Sequence, residues 1–263
     1  MNLINVVGIL FAIAVMLVSM IWGNPSPMKL VDPHAMIVVL VGTAACVGVA
    51  FQLNKASRMI LIFFRNMLGS KKADARQVIA ELMKFADAYR NQGAQLDGLL
   101  QGTKDPFLRE AMTALKDEVL EPKQLVRVLR TRVETTFERY NDEAKMFAAC
   151  GKYPPAMGLM GAVLGMIALL GTLGTPGAEK NIGPAMSVAL VATLYGIAFA
   201  NLFVIPIGEN LQESAKALRA KNTIIVEGVR LIAAHTNPIV LAEELNSFLL
   251  PSERLDWKKL SGA

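Results

Sequence analysis

The chain has 263 residues, 53% of them hydrophobic and 19% charged, with a formal net charge of +5 and a mean hydropathy of +0.41. That is too apolar for an ordinary soluble domain and points to a membrane. No stretch interleaves aromatic with basic residues, which excludes a nucleic-acid binder of the base-stacking kind.

Residues 1–28 carry no charged side chain, and a first membrane helix is expected over about 3–22, ending at Trp22, an interface anchor. No basic segment precedes it, so it reads as a retained helix rather than a cleaved signal. Gly23, Asn24, Pro25, Ser26 and Pro27 make a helix-breaking turn. A second membrane helix is expected over about 34–53, with Asp32 and His34 at its outer mouth as interface groups. Behind it, Lys55 to Arg65 has basic ends around a greasy centre, the pattern of a helix lying on the cytoplasmic interface.

From about 68 to 150 the chain reads all-helical. Val78, Leu82, Phe85 and Tyr89 recur at helical spacing. Asp105 and Pro106 form an N-cap and first-turn pair. A helix opening at Glu121 and Pro122 places Leu125, Leu129, Val133, Phe137 and Tyr140 along one face. It is expected to run to about 151, where Pro154 and Pro155 interrupt it.

Residues 153–178 and 181–208 are again free of charge and form a helical hairpin. Gly158, Gly161 and Gly165 on its first arm, and Ala185, Ala189, Ala192, Gly196 and Ala200 on its second, are small residues that let helix backbones approach. They serve either packing within one subunit or an interface with another. Pro155 and Pro206 frame the hairpin on its cytoplasmic side, as terminators or as a hinge pair.

Of 27 Lys and Arg, 18 lie in 54–152 and seven in 209–263, leaving only Lys29 and Lys180 in the short loops. By the positive-inside rule both large segments and both termini are cytoplasmic. The fold class expected is therefore all-α: a polytopic membrane protein with four transmembrane helices and a helical cytoplasmic domain. Its parts are 1–53 (two membrane helices), 54–152 (cytoplasmic domain with its interfacial helix), 153–208 (two membrane helices) and 209–263 (cytoplasmic tail).

No Asp, Glu, Lys or Arg falls inside any of the four membrane helices. Ion paths through membranes usually announce themselves by such residues. Here the helices offer only Ser19, Thr43, Ser187, Thr193, Tyr195 and Asn201. Such a chain either transports nothing or relies on a partner's charge. For Thr193 the plain reading is a hydroxyl bonded back to its own helix; the functional one places it on an ion path. Cys46 and Cys150 form no CxxC pair, and His34 and His235 stand apart, so no metal site, disulfide or other cofactor is expected.

Several of these residues fall together in one pattern. Pro155, Ala156, Met157, Gly158, Leu159, Met160 and Gly161, then Gly183, Pro184, Ala185 and Met186, then Thr193, Leu194, Tyr195 and Gly196, and finally Pro206, resemble the stator A subunit of the bacterial flagellar motor, the MotA/PomA family. The likeness covers nearly the whole chain, including a tail of Leu250, Pro251, Ser252, Glu253 and Arg254. It implies a protein of the bacterial inner membrane, a homo-oligomer with five A subunits around two B subunits. The B-type subunit brings a membrane Asp and a peptidoglycan-binding domain. Ion flow past that Asp drives the A ring against the rotor protein FliG.

Carried over by position, Pro155 and Pro206 match the prolines of conformational coupling, and Arg90 matches a basic residue facing the rotor. Where the family places a glutamate beyond the following glycine, the nearest acid here is Asp97. Sodium-driven members resemble this chain at Thr193 but carry a second threonine where Ala162 stands. Losing that oxygen ligand favours H+ as the translocated ion.

Two other readings compete. An energiser of the ExbB/TolQ type shares the hairpin but typically has three membrane helices. A scaffold without ion coupling would leave Thr193 and the framing prolines incidental. An enzyme is not expected, because no nucleophile–base pair, phosphate loop or metal-ligand spacing appears.

Overall fold

The computed structural model describes residues 30–51, 74–90, 95–176 and 179–255, with scattered positions between 7 and 22. In chain order the helices are α1 (Pro33–Ala50), α2 (Ala75–Arg90), α3 (Leu96–Gly102), α4 (Pro106–Lys116), α5 (Pro122–Cys150), α6 (Tyr153–Thr172), α7 (Glu179–Phe199), α8 (Ile205–Ala233) and α9 (Pro238–Asn246). No strand occurs among the described residues, so the all-α expectation holds. Three helical runs there are long and apolar enough to cross a membrane: Pro33–Ala50, Pro122–Thr172 and Ile182–Ala233. The expected first membrane helix lies only partly within the described residues, and the expected interfacial segment Lys55 to Arg65 lies outside them.

The chain divides into two compact units, residues 1–71 with 141–212 and residues 72–140 with 213–263. The sequence boundary at 152 falls in the turn of Gly151 and Lys152, whereas the one at 208 falls inside α8. The residues after 208 thus begin as a continuation of a helix.

In the first unit, α1 packs against α6 and α7. It begins at Pro33, within one residue of the expected start, and Asp32 caps it: one carboxylate oxygen accepts from the N–H groups of His34 at 2.8 Å and Ala35 at 3.0 Å. Pro33 follows at the first helical position, where a missing N–H costs nothing. The buried face of α1 is Ala35, Val39 and Thr43, one turn apart each. Ala35 meets Val191 and Ala192, about 18 Å along α7 from Glu179 at 1.5 Å per residue, so α1 starts beside the middle of the hairpin rather than at its tip. Toward the opposite end, Val47 and Phe51 pack with Phe147, Cys150, Val204 and Ile207.

The second unit is a helical cluster around Leu82, Phe85, Leu108, Met112, Leu125, Leu129, Ile225 and Leu241, each at most 2% exposed. Removing each leucine from water contributes ~1.5–3 kcal/mol. The predicted periodicities land here in part: Val78, Leu82 and Phe85 are buried on α2 with Tyr89 half-buried, and Leu125, Leu129 and Val133 are buried on α5, while Phe137 is half-buried and Tyr140 is exposed. Asp105 caps α4 as its sequence indicates, accepting from Phe107 and Leu108 N–H at 3.0 Å each. Asn237 caps α9 the same way, with Pro238 again first in the helix.

Candidate functional site: the α6–α7 hairpin

The arms of the hairpin touch backbone to backbone. A Cβ placed on Gly158 would lie 2.7 Å from the Ala192 carbonyl oxygen and 3.1 Å from Thr193 Cα. One on Gly161 would lie 2.9 Å from Ala192 Cβ, and one on Gly165 3.1 Å from Ala189 Cβ. A Cβ on Gly196 would collide with the Pro154 carbonyl oxygen and come within 3.2 Å of Gly158 Cα. The small-residue stripes are therefore consumed within this subunit, the plainer of the two readings open from the sequence. What remains outward is apolar: Leu159, Val163, Ile167 and Leu170 on α6, Met186, Leu190 and Ile197 on α7.

Thr193 sits in this seam. Its hydroxyl lies 3.3 Å from the carbonyl oxygen of Ala189 on its own helix and 3.4 Å from that of Gly158 across the seam. Donating its single proton to these carbonyls leaves the oxygen lone pairs free to accept from water or face a cation. Ala162 is half-buried on α6, one residue beyond the close contact of Gly161 with α7.

Pro155 and Pro206 are placed differently. Pro155 lies in the first turn of α6, after Tyr153 and Pro154, where proline lacks only an N–H that no helical carbonyl awaits. It starts a helix rather than kinking one. Pro206 follows a π-turn, Ala200–Val204, in which the Ile205 N–H reaches back five residues to the Ala200 carbonyl. Five-residue bonding passes over the Asn201 carbonyl, and Pro206 has no N–H to offer the Leu202 carbonyl four residues before it. Widening the helix makes room for the proline ring and lets α7 pass into α8 without a break.

Two further site candidates lie in the second unit, with separate partners. Arg90 ends α2, and its Nη2 donates to the Thr236 carbonyl at 3.0 Å. Beside it Tyr89 stacks on His235, ring centroids 5.5 Å apart. His235 has φ +50 and closes α8, the His235 and Thr236 N–H groups bonding back to Ile232 and Leu231 carbonyls. That left-handed position is usually a glycine's. Asp97 instead holds Lys116 at 2.5 Å. The exposed Lys116 ammonium is raised above its ordinary value mainly by that hydrogen bond, with burial opposing. A raised lysine contributes stability below its ordinary range and loses it only as pH climbs through the raised value, so the Lys116 contribution does not change near neutrality.

Sequence reasoning passed over Tyr195 except as a weak polar group. Its phenol hydroxyl accepts from the Asp32 N–H at 3.2 Å and donates to the Leu30 carbonyl, joining α7 to the turn before α1. It also missed the Lys221–Asp105 pair, whose side chains are only 10% and 15% exposed. Both join residues more than 100 positions apart, which local pattern does not report.

The chain matches the model of the MotA/TolQ/ExbB proton channel family over residues 100–223. It is similar to motility protein A of Aquifex aeolicus, 30% identical over 261 residues, 96% of this chain and 100% of that one. Its fold matches the structure of C. jejuni MotAB with a TM-score of 0.86 at 25% identity, over 97% of this chain and 99% of that chain. It also matches the flagellar MotAB stator complex from Bacillus subtilis with a TM-score of 0.82 at 25% identity, over 96% and 97%. A hairpin sealed by glycine and alanine and charged only at its tip, by Glu179 and Lys180, in a chain matched over nearly its whole length by motility protein A, leads to one assignment: the chain belongs to the motility protein A (MotA/PomA) group of the MotA/TolQ/ExbB proton channel family.

Proposed function

We propose that this chain is the A subunit of a flagellar stator that couples H+ flow to torque, with Thr193 and Ala162 on the ion path. The observation that carries the reading is a hydroxyl, Thr193, held in a close-packed hairpin whose arms contain no Asp, Glu, Lys, Arg or His between 153 and 178 or between 181 and 208. A proton crosses such a surface only past a carboxylate supplied by a partner, here a B-type subunit carrying a membrane Asp and a peptidoglycan-binding domain. Each charge crossing would supply ~2.3 kcal/mol per 100 mV. The subunits form a ring, five around the B pair, and push the rotor protein FliG. The chain itself performs no enzymatic chemistry in this scheme and needs no resident cofactor.

Ion choice follows from ligand count. Sodium requires several oxygens in place, whereas a proton needs one polar group or a water. Ala162 contributes none, leaving Thr193. In a strain that swims only on this chain and its B partner, swimming should persist without sodium and stop on adding a protonophore. Speed that tracks sodium would overturn the ion assignment and keep the motor. If swimming is untouched by deletion of the chain in a strain with no second stator, the ExbB/TolQ-type reading takes over.

Arg90 and Asp97 are the rotor-facing pair of this scheme, and Pro155 and Pro206 bound the arms that move. Arg90 is exposed and donates to the Thr236 carbonyl. Charge reversal there, Arg90→Glu, should slow swimming roughly severalfold while the yield of purified complex holds, since exposed polar contacts contribute little to folding. Loss of yield in step with speed would instead make Arg90 a brace for Thr236.

A further inference from the structure

Thr193 and Tyr195 stand two residues apart on α7, so they project about 200° apart around the helix. Thr193 addresses the Gly158 carbonyl on α6. Tyr195 addresses the turn before α1, where its single hydroxyl serves two backbone groups: it accepts from Asp32 N–H and donates to Leu30 C=O. Around this contact Ala35, Val191 and Ala192 are at most 4% exposed, with Leu30 and Tyr195 packed against them. The carboxylate of Asp32 is already taken up by His34 and Ala35 N–H. The start of α1 therefore has its polar groups satisfied by one side chain of α7 and one of its own, which is what lets it sit beside the middle of an apolar hairpin.

The geometry points to Tyr195 as a positioning residue of the ion path, its hydroxyl pinning α7 to the start of α1 so that Thr193 is held against α6. This rests on the reading of Thr193 given above. Close packing against glycine fixes how near α7 lies to α6 but little about its rotation, because small side chains present a smooth surface. A hydrogen bond at the end of a tyrosine ring, on the opposite side of the helix, resists rotation with a long lever. Phenylalanine at 195 keeps the ring and loses the pin, leaving the Asp32 N–H and Leu30 carbonyl without their partner.

The test is Tyr195→Phe in the full stator, with two readouts: yield of the complex with its B subunit, and the height of single torque steps as units join one motor. Assembly alone sets how many steps occur; the working geometry of each unit sets their height. Yield is expected to stay within about twofold of the parent while step height falls roughly two- to fivefold. Because the effect runs through Thr193, Thr193→Ala with Tyr195→Phe should be no worse than Thr193→Ala alone. Unchanged step height, a collapse of yield, or additive losses in the double variant would each overturn the inference. If the parent chain produces no steps at all, the stator reading itself has failed, a result the variant series cannot imitate.

Discussion

Gly196→Val is expected to give no working hairpin. A side chain there meets the Pro154 carbonyl and Gly158 Cα, which are backbone and cannot rotate away as a side-chain end would. Overpacking a core costs ~1–3 kcal/mol when side chains can yield, and more where they cannot. Valine adds two further methyls beyond the colliding Cβ, so separation of α6 from α7 is the only relief. Separation also withdraws Gly158 from the Thr193 hydroxyl. The measurement is the amount of complex extracted in mild detergent, with its melting temperature, beside swimming in soft agar. Gly171→Ala is the control, since nothing lies within 4 Å of a Cβ at that position. A Gly196→Val protein that melts and swims like its parent would show that the arms are not in backbone contact.

Lys221→Ala should be far more damaging than truncation of any exposed ion-pair partner in the second unit. Lys221 pairs with Asp105, and Asp105 uses its other oxygen to cap α4 through Phe107 and Leu108 N–H. Both side chains are nearly buried, so water cannot replace the lost partner. Leaving one charge of such a pair uncompensated costs ~3–5 kcal/mol, against ~0–1 kcal/mol for an exposed pair. Arg132 and Glu110, at 50% and 53% exposure, provide that comparison. Thermal unfolding of the purified complex, followed by labelling of a cysteine introduced into the second unit, since Cys46 and Cys150 both lie in the first, should show early opening for Lys221→Ala and none for Arg132→Ala. Replacing both members with Lys221→Met and Asp105→Asn should recover part of the loss, because the cap survives and no lone charge remains. Equal melting of Lys221→Ala and the parent would count against a buried pair.

What the sequence made legible was what repeats at helical spacing or breaks it. The charge-free runs located α1, α6 and α7, and the leucines of α5 located the face that is buried. Asp105 with Pro106 was readable as a cap, yet the same pairing at Asp32 and Pro33 was taken for an interface group, and Asn237 with Pro238 was not taken up at all. All three are one device, an Asx side chain bonding the N–H two residues on, and only the apolar surroundings of Asp32 obscured it. Pro206 showed the limit of a local rule. Proline inside a helix predicts a kink, but a five-residue bond upstream makes room for it, and no sequence signal reports that bond. At the candidate site, the stripe of small residues was plain, while what it packs against was not. Composition cannot say whether a smooth face meets its own hairpin partner or another copy; contacts of Gly158 and Gly196 decide it. Tyr195 was invisible because its partners are backbone atoms, which have no signature in sequence.

The pin between Tyr195 and Asp32 also has a history during synthesis. The two residues are 163 positions apart. At ~5–20 residues per second, the hydroxyl reaches the membrane roughly 8–30 s after the turn it will satisfy. Through that interval the Asp32 N–H and the Leu30 carbonyl need water, so the start of α1 has to wait near a hydrated surface until α7 arrives. The N-terminal half of the chain made alone should therefore keep the start of α1 at that hydrated surface, open to protease, and addition of the hairpin should cover it.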